Sequence, residues 1–270
     1  MIRRKGFTLI ELLVVIAIIA LLMSILMPAL NRVRKQARSV ACRAQLKSWG
    51  MIFKLYTDDN DGQFNSGWDP AHGGERALFM NAMRPYYNKD MKMLLCPTAT
   101  KVVNSAADWG TFKAWTRNVD MPEGGSYDYE GSYNINSWTN NMTADRGARP
   151  KEWFWRRTHN IKDPQNVPIL ADGTWHDAWV RDTDSPPPGV DDFGSGDRGT
   201  DNEMRHFCID RHNGWNNFTF ADWSVRPIGL KQLWTLKWHR NFNTRGAWTM
   251  TGNGGQSPDW PQWMRRYKDY

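Results

Sequence analysis

The chain has 270 residues, a net charge of +7 and sixteen tryptophans. Its length allows one large domain or two small ones, and a hydrophobic content of 40% excludes a wholly disordered chain. Arg3, Arg4 and Lys5 supply three of the positive charges, and without them the net charge would fall to about +4, which is too mild to indicate nucleic-acid binding.

A long apolar segment follows these basic residues. From residue 12 to residue 30 every side chain is apolar except that of Ser24, and this length spans a bilayer. A secretory signal peptide has a shorter apolar region, followed by small residues at its cleavage site. We therefore predict a transmembrane helix over residues 7–30. Glu11 lies within it, and acids inside membrane segments usually face a partner.

The start of this segment carries a specific signature. The stretch KGFTLIELLVVIAIIALL, residues 5–22, closely resembles the N-terminus of type IV prepilins and of the pseudopilins of type II secretion. The resemblance implies that a prepilin peptidase cleaves between Gly6 and Phe7, removing residues 1–6 as a leader, and that Phe7 is then N-methylated. An uncleaved membrane anchor is the alternative, but a plain anchor gains nothing from a costly internal carboxylate.

The same resemblance gives Glu11 a role in assembly. Cleavage creates an α-amine on Phe7, which is largely cationic at neutral pH because its ordinary pKa is about 8. In a filament, Glu11 would pair with this amine of a neighbouring subunit. Pilins also carry a proline at the place of Pro28, where the missing backbone donor would kink or locally melt the helix.

The resemblance also implies partners and a location. The partners are the prepilin peptidase, copies of the chain or other pilins in a helical filament, an inner-membrane assembly platform and the lipid bilayer. The chain would cross the inner membrane once, with its globular domain in the periplasm or outside the cell. Basic residues flank the apolar segment on both sides, so charge alone does not fix this orientation.

Beyond Pro28 the apolar residues recur at steps of three and four, as on one face of a helix. The residues at these steps are Leu30, Val33, Ala37, Val40 and Ala44, and the stripe continues with Trp49, Phe53 and Tyr56. We predict an amphipathic helix over residues 31–58, ending where the stretch TDDNDGQF supplies turn residues.

Residues 59–270 are predicted to form a globular domain of short elements. Residues 74–87 indicate a short helix, residues 131–138 and 166–175 indicate strands, and the polar residues 181–203 indicate a loop insertion. The fold class is therefore α+β. Pilin resemblance implies a long N-terminal helix, first transmembrane and then amphipathic, packed on a C-terminal antiparallel β-sheet.

A β-hairpin is predicted near the C-terminus, within residues 211–229. Two alternating segments meet at Asp222 and Trp223. His212, nine further residues and Asp222 resemble the H-x9-DG motif of a subgroup of pseudopilin-like proteins common in planctomycetes and their relatives. Trp223 stands at the motif's glycine and takes positive φ poorly, so we expect a turn that is wider than two residues or of another type.

The positions of two cysteines give a second resemblance to the same subgroup. The stretch ACRAQLKSWGMIFKLYTDDNDGQF, residues 41–64, resembles its members, which often have a later Cys-Pro, matched here by Cys96 and Pro97. The resemblance motivates a Cys42–Cys96 disulfide, which a location outside the cytoplasm would allow and which leaves Cys208 over.

Two polar stretches carry metal-ligand residue types. Alternate positions in one of them are His206, Cys208, Asp210 and His212. A strand would present these on one face, too far apart to converge on an ion without help, for example from Asp172 or His176. The insertion carries oxygen ligands suited to Ca²⁺, although without EF-hand spacing: Asp191, Asp192, Asp197 and Asp201. The alternatives are a polar strand with a satisfied histidine and a solvated acidic loop.

The function predicted from these patterns is that of a structural filament subunit, not of an enzyme. The sequence has no G-x-S-x-G elbow, no phosphate-binding loop and no H-E-x-x-H. The alternatives are a pilus-associated adhesin that binds polysaccharide through exposed tryptophans and a membrane-anchored enzyme. Buried tryptophans favour the subunit, exposed coplanar ones favour the adhesin, and converging carboxylates or a His/Asp metal cluster favour the enzyme. Whether the filament is a pseudopilus or a pilus stays open.

Overall fold

The computed structural model describes residues 9–102, 110–121, 124–192 and 202–270. Two helices and eight strands lie in these ranges, together with short 3-10 turns. Their bounds are α1 (Leu9–Asp59), α2 (Phe79–Ala82), β1 (Lys101–Val102), β2 (Lys113–Asp120), β3 (Ser126–Gly131), β4 (Tyr133–Asn136), β5 (Pro168–Asp172), β6 (Asp177–Ala178), β7 (Trp215–Phe220) and β8 (Val225–Gly229). The predicted α+β architecture, a long N-terminal helix followed by a β-sheet domain, is confirmed.

The strands form two sheets. The larger has the order β6-β4-β5-β7-β8, and its pairs are antiparallel except for β4 with β6. The smaller has the order β1-β2-β3, with a parallel β1–β2 pair and an antiparallel β2–β3 pair. The strands predicted over residues 131–138 and 166–175 correspond to β4 and β5, and all their residues are buried.

The C-terminal half of α1 packs on the larger sheet. Its buried face begins at Cys42 and continues through Leu46, Trp49 and Phe53, at helical spacing. Gly50 lets the helix approach β7, because a Cβ there would lie 3.1 Å from Cγ2 of Thr219.

The predicted apolar stripe is only partly correct. Trp49 and Phe53 are buried as expected, but the side chains of Leu30, Val33 and Val40 are 49%, 58% and 55% exposed. Leu30 and Val33 lie before the part of α1 that the described chain covers, which begins at Ser39. Val40 lies nine residues, or about 2.5 turns, before Trp49 and so on the opposite side of the helix. The step of five residues from Ala44 to Trp49 moves the predicted stripe to another face of the helix, and only its last part meets the domain.

The hairpin of β7 and β8 has a three-residue loop, Ala221 to Trp223. Phe220 N–H donates to Ser224 O at 3.0 Å, and Trp223 N–H donates to Phe220 O at 2.8 Å. Trp223 has φ of +64°, so this bulky residue occupies the left-handed position that glycine favours. The turn is wider than two residues, as expected, and Asp222 caps it by accepting from Ser224 N–H at 2.9 Å.

The first part of the insertion is packed rather than free. The Asp184 carboxylate is buried and accepts from the N–H groups of Arg181, Glu203 and Met204, so it joins the two ends of the insertion. Residues 193–201, including Asp197 and Asp201, lie outside the described part of the chain.

Tryptophans make much of the core of this strand-poor domain. Of the fifteen in the described ranges, Trp215 alone is exposed, at 43%, and the others are buried or partly buried. Several indole N–H groups donate to backbone carbonyls of loops: Trp138 to Val180 O, Trp234 to Asp184 O and Trp263 to Pro187 O. The indoles thus fill the core and also satisfy backbone acceptors that no ladder reaches.

We expect Trp138→Phe to lower the free energy of unfolding by about 2 kcal/mol or more, because it leaves the buried Val180 carbonyl without its 2.7 Å donor. Trp215→Phe, at the exposed position, should stay within about 0.5 kcal/mol of the parent. Pulse proteolysis in urea of the detergent-solubilised chain measures both. Equal losses in the two variants would contradict the role given to the indole N–H.

Candidate functional site

The N-terminal half of α1 is the first candidate site. In the described range, residues 9–38 of the helix are all exposed. Among the helices described, α1 is the one that is long and apolar enough to cross a membrane. Glu11 lies in its first turn, whereas Gly6 and Phe7 lie outside the described residues.

Pro28 lies inside α1, and the helix runs through it without a break. Proline has no backbone N–H, so the carbonyl of Ser24, four residues earlier, loses its helical donor. The Ser24 hydroxyl donates to Leu21 O at 2.7 Å in the same turn. The kink or local melting that the pilin resemblance implies at Pro28 stays a prediction.

The second candidate site is a buried cluster of Cys42, Cys96, Asp172 and His212, called here the Cys/Asp/His cluster. Each member comes from a different element. Cys42 is the first buried residue of α1, and Asp172 ends β5. Cys96 follows a 3-10 turn, with its N–H donating to Ser132 Oγ at 2.6 Å, and His212 precedes β7.

The ligand-type atoms of the cluster all lie within 4.8 Å of one another. The Cys42 thiol donates to Asp172 Oδ2 at 3.2 Å. His212 Nε2 lies 3.1 Å from the same oxygen and 3.6 Å from Cys96 Sγ. The Asp172 side chain is fully buried and that of His212 is 2% exposed, so the cluster is shielded from solvent.

Arg211 compensates the buried charge of Asp172. Its side chain is also fully buried, and it donates to Asp172 Oδ1 at 3.2 Å. It further donates to the carbonyls of Thr111, Ser132 and Gly173. A buried ion pair is tolerated only when its remaining donors and acceptors are satisfied, and here the guanidinium meets that condition through three backbone segments.

Mutual contacts set the charge states of the cluster. Burial alone would raise the pKa of Asp172, but the hydrogen bond and charge of His212 and the charge of Arg211 lower it to about 2. Burial likewise would lower the pKa of His212, yet its contacts with Asp172 and Cys96 raise it to about 9. Against the effect of burial, hydrogen bonds from Cys42 and His212 lower the pKa of Cys96 to about 6. Burial raises the pKa of Cys42.

The arrangement is not that of a nucleophile with its base. In a Cys-His-Asp triad the two ring nitrogens of histidine face different partners. Here Nε2 of His212 faces both Cys96 Sγ and Asp172 Oδ2, and it holds one proton at most. The formed cluster therefore gives no support to an acyl-transfer enzyme.

The structure brings Cys42 and Cys96 together as predicted neighbours, but as free thiols rather than a disulfide. The two sulfurs make hydrogen bonds to other groups. The Cys42 thiol donates to Asp172, and Cys96 Sγ lies 3.0 Å from the Thr98 hydroxyl. Cys208 is a third free thiol, buried beside Met264.

The alternating ligand set predicted over residues 206–212 does not form. Its residues lie in a 3-10 turn and a loop rather than a strand, so their side chains diverge. His206 contacts the Thr174 hydroxyl, and Asp210 accepts from Gly214 N–H and pairs with Arg266. Only His212 joins the cluster. Asp172, named as a possible helper, is its central acid, and Asp222 lies apart in the hairpin loop.

The calcium set is only partly described. Asp191 Oδ1 accepts from the N–H of Thr111 at 2.7 Å, which ties the insertion to the start of β2. Asp192 is exposed beside it, and the other two aspartates lie outside the described residues. A calcium site there stays a prediction.

Sequence reasoning missed Arg211 altogether. Its neighbour His212 was singled out for its spacing to Asp222, but no local pattern marks an arginine that will be buried. The one available signal was the buried strand PILAD, because an aspartate that ends a strand inside the core needs a cation.

The N-terminal segment of the chain matches a known family of sequences. Residues 1–27 match the family described as "Prokaryotic N-terminal methylation motif". A stretch of 57 residues is 47% identical to the "Type IV wide pilus major component PilA4" of Thermus thermophilus, covering 21% of this chain and 44% of the relative. The chain thus matches less than half of the relative's length. No solved structure is significantly similar to this chain.

We expect Arg211→Met to lower the free energy of unfolding by about 3–5 kcal/mol, because it leaves the Asp172 carboxylate buried without its cation. Adding Asp172→Asn should recover part of the loss, since the amide carries no charge. Arg266→Met is the matched control, because that side chain is 64% exposed in its pair with Asp210 and such pairs contribute about 1 kcal/mol or less. Urea pulse proteolysis compares the three, and similar losses for Arg211→Met and Arg266→Met would contradict the assignment.

Proposed function

We propose that the chain, whose N-terminal segment is similar to that of type IV pilin-like proteins, is a structural subunit of a type II secretion pseudopilus or a type IV pilus-like filament. Its first helix would anchor it in the inner membrane and then build the core of the filament. The globular domain, outside the cytoplasm, would decorate the filament surface.

The observation that carries this proposal is the exposed half of α1. Residues 9–41 extend from the domain over about 50 Å at the rise of an α-helix, longer than the roughly 30 Å apolar core of a bilayer. Lipid covers about the first twenty of them. Val33, Ala37 and Val40 continue the apolar face beyond that length and are exposed in the single chain. Helices of neighbouring subunits would cover that face in a filament.

Glu11 supports the same proposal, because a carboxylate in an apolar membrane segment costs free energy. A carboxylate in an apolar segment is retained when it pairs with a specific group. The α-amine that cleavage after Gly6 would create on Phe7 is such a group, supplied by the adjacent subunit. Pro28 would let α1 loosen locally as the helices pack. The peptidase acts on the cytoplasmic side, so the leader lies inside and the domain lies in the periplasm or beyond, with an inner-membrane platform extracting the subunit.

The alternative of a polysaccharide-binding adhesin finds little support in the tryptophans. Apart from Trp215, those in the described ranges are at least half-buried in the core or pack against it. Several of their indole N–H groups donate within the chain, for example those of Trp138 to Val180 O and of Trp234 to Asp184 O. A glycan platform needs ring faces open to solvent, so the tryptophan excess is better explained by internal packing.

Processing gives the first test. When the full chain is co-expressed with a prepilin peptidase, the mature protein should begin at Phe7 and carry an N-methyl group there. Mass spectrometry of the N-terminal peptide measures both features, and expression without the peptidase is the control, with a start at Met1. A start at Met1 in both preparations would refute the proposed processing.

Assembly gives the second test. We expect Glu11→Ala to block filament formation while leaving membrane insertion and leader cleavage intact, because losing one partner of a buried ion pair costs about 3–5 kcal/mol per contact. Glu11→Gln keeps the shape without the charge and should fail equally. Sedimentation of sheared filaments reports assembly, and alkaline extraction of membranes reports insertion. Filaments at the parental level from either variant would rule out the ion pair as the assembly contact.

A further inference from the structure

We propose that Cys42, Cys96, Asp172 and His212 together bind one Zn²⁺ ion, as a structural site that fastens α1 to the globular domain. The proposal is independent of the filament function, because it concerns the fold of the single chain. It also differs from the ligand sets that the sequence indicated, of which it retains His212 and the possible helper Asp172.

The first argument is the separation of the ligand atoms. In a tetrahedral zinc site, with bonds of about 2.3 Å to sulfur and about 2.0 Å to nitrogen or oxygen, neighbouring ligand atoms are about 3.3–3.8 Å apart. The measured separations are 3.6 Å for Cys96 Sγ to His212 Nε2, 3.2 Å for Cys42 Sγ to Asp172 Oδ2, and 3.1 Å from that oxygen to Nε2. Shifts of about 0.3 Å would bring these three separations to the tetrahedral values, and all four ligand atoms lie within 4.8 Å of one another.

The second argument is the direction of His212. Its Nε2 lies 3.1 Å from a carboxylate oxygen and 3.6 Å from a sulfur, and it carries at most one N–H to share between them. An ion placed between the four atoms would accept the nitrogen lone pair and contact every member. Convergence of one ring nitrogen on several anionic groups is the geometry of a metal ligand.

The third argument is ligand chemistry. Two thiolates with an imidazole and a carboxylate select Zn²⁺ over hard ions such as Ca²⁺ and Mg²⁺, which take oxygen ligands. Two thiolates and the Asp172 carboxylate would be balanced by a divalent ion together with Arg211. Four protein ligands leave no open position, and the site is buried, so it is structural rather than catalytic.

The surrounding contacts are those of an organised ligand shell. Arg211 holds Asp172 through Oδ1 and so leaves Oδ2 directed into the cluster. Hydroxyl groups reach both sulfurs, that of Thr98 at 3.0 Å from Cys96 Sγ and that of Tyr133 at 3.6 Å from Cys42 Sγ. Such partners orient metal ligands and tune their basicity.

The consequence concerns α1. Cys42 is the first buried residue of this helix, at the point where its exposed half leaves the domain. An ion there would join the helix to β5, to the segment after the 3-10 turn of Met91–Leu94 and to the segment before β7. Removing the ion should therefore loosen the helix from the domain first.

Metal content of the full chain tests the proposal. Purified in detergent without added metal, it should carry about one zinc per chain by elemental mass spectrometry. Cys42→Ser and His212→Gln should each reduce the zinc to below about one tenth of the parental content. Cys208→Ala, which removes a buried thiol outside the cluster, should retain the parental content. Equal loss in all three variants would refute the assignment.

A measurement on the unmodified chain keeps the test independent of variant folding. After chelation under reducing conditions, addition of Co²⁺ should give one equivalent of a tetrahedral, thiolate-ligated cobalt spectrum, and Zn²⁺ should displace it. A Cys42–Cys96 disulfide in peptides of the unreduced protein, with little bound metal, would overturn the proposal in favour of a bridge. A chain that is fully reduced yet binds neither ion would also overturn it.

Discussion

A carboxylate can be buried only if cations and donors replace the water it loses, and the globular domain is arranged around one such carboxylate. Asp172 ends the central strand β5 with no solvent exposure, so its neighbours must be polar. Arg211 and His212 approach it from the segment before the hairpin, and Cys42 approaches it from α1. Because Arg211 also binds Ser132 O and Thr111 O, the helix, the larger sheet and the start of the smaller sheet are fixed relative to this single charge.

A second carboxylate that is costly to remove from water, Glu11, lies on the same helix as Cys42. Like Asp172 it needs a group that compensates its charge, but the two compensating groups have different sources. At Asp172 the compensating groups all come from within the chain. At Glu11, on the proposed function, the compensating amine comes from a neighbouring subunit and exists only after cleavage. A cation supplied by the same chain stabilises the single domain. A cation supplied by a neighbouring subunit, as proposed for Glu11, stabilises the chain only once it has assembled. On the proposed function, the helix links the globular domain to an assembly contact.

Local patterns in the sequence were sufficient for α1 and for the hairpin of β7 and β8, because periodicity and turn residues are properties of neighbouring positions. The Cys/Asp/His cluster was not predictable in this way, since its four members come from four separate elements. Pairing Cys42 with Cys96 came from a resemblance, and it identified two neighbours but neither Asp172 nor Arg211. Leu30 and Val40 show the other limit, because helical periodicity does not say which face of the helix the domain covers, and Val40 lies about 2.5 turns before the buried Trp49, on the opposite side.

The exposed half of α1 also explains why the anchorage at Cys42 matters mechanically. Residues 9–41 act as a lever about 50 Å long that is attached to the domain at one end. A force applied near the free end of this helix would produce its largest bending moment at the first turn that contacts the domain. Apolar contacts at that turn are individually weak and not directional, so they can give way one at a time. Directional contacts from Cys42 to Asp172, and from Arg211 to Asp172 behind it, add to this apolar packing at the point where the exposed half of the helix meets the domain.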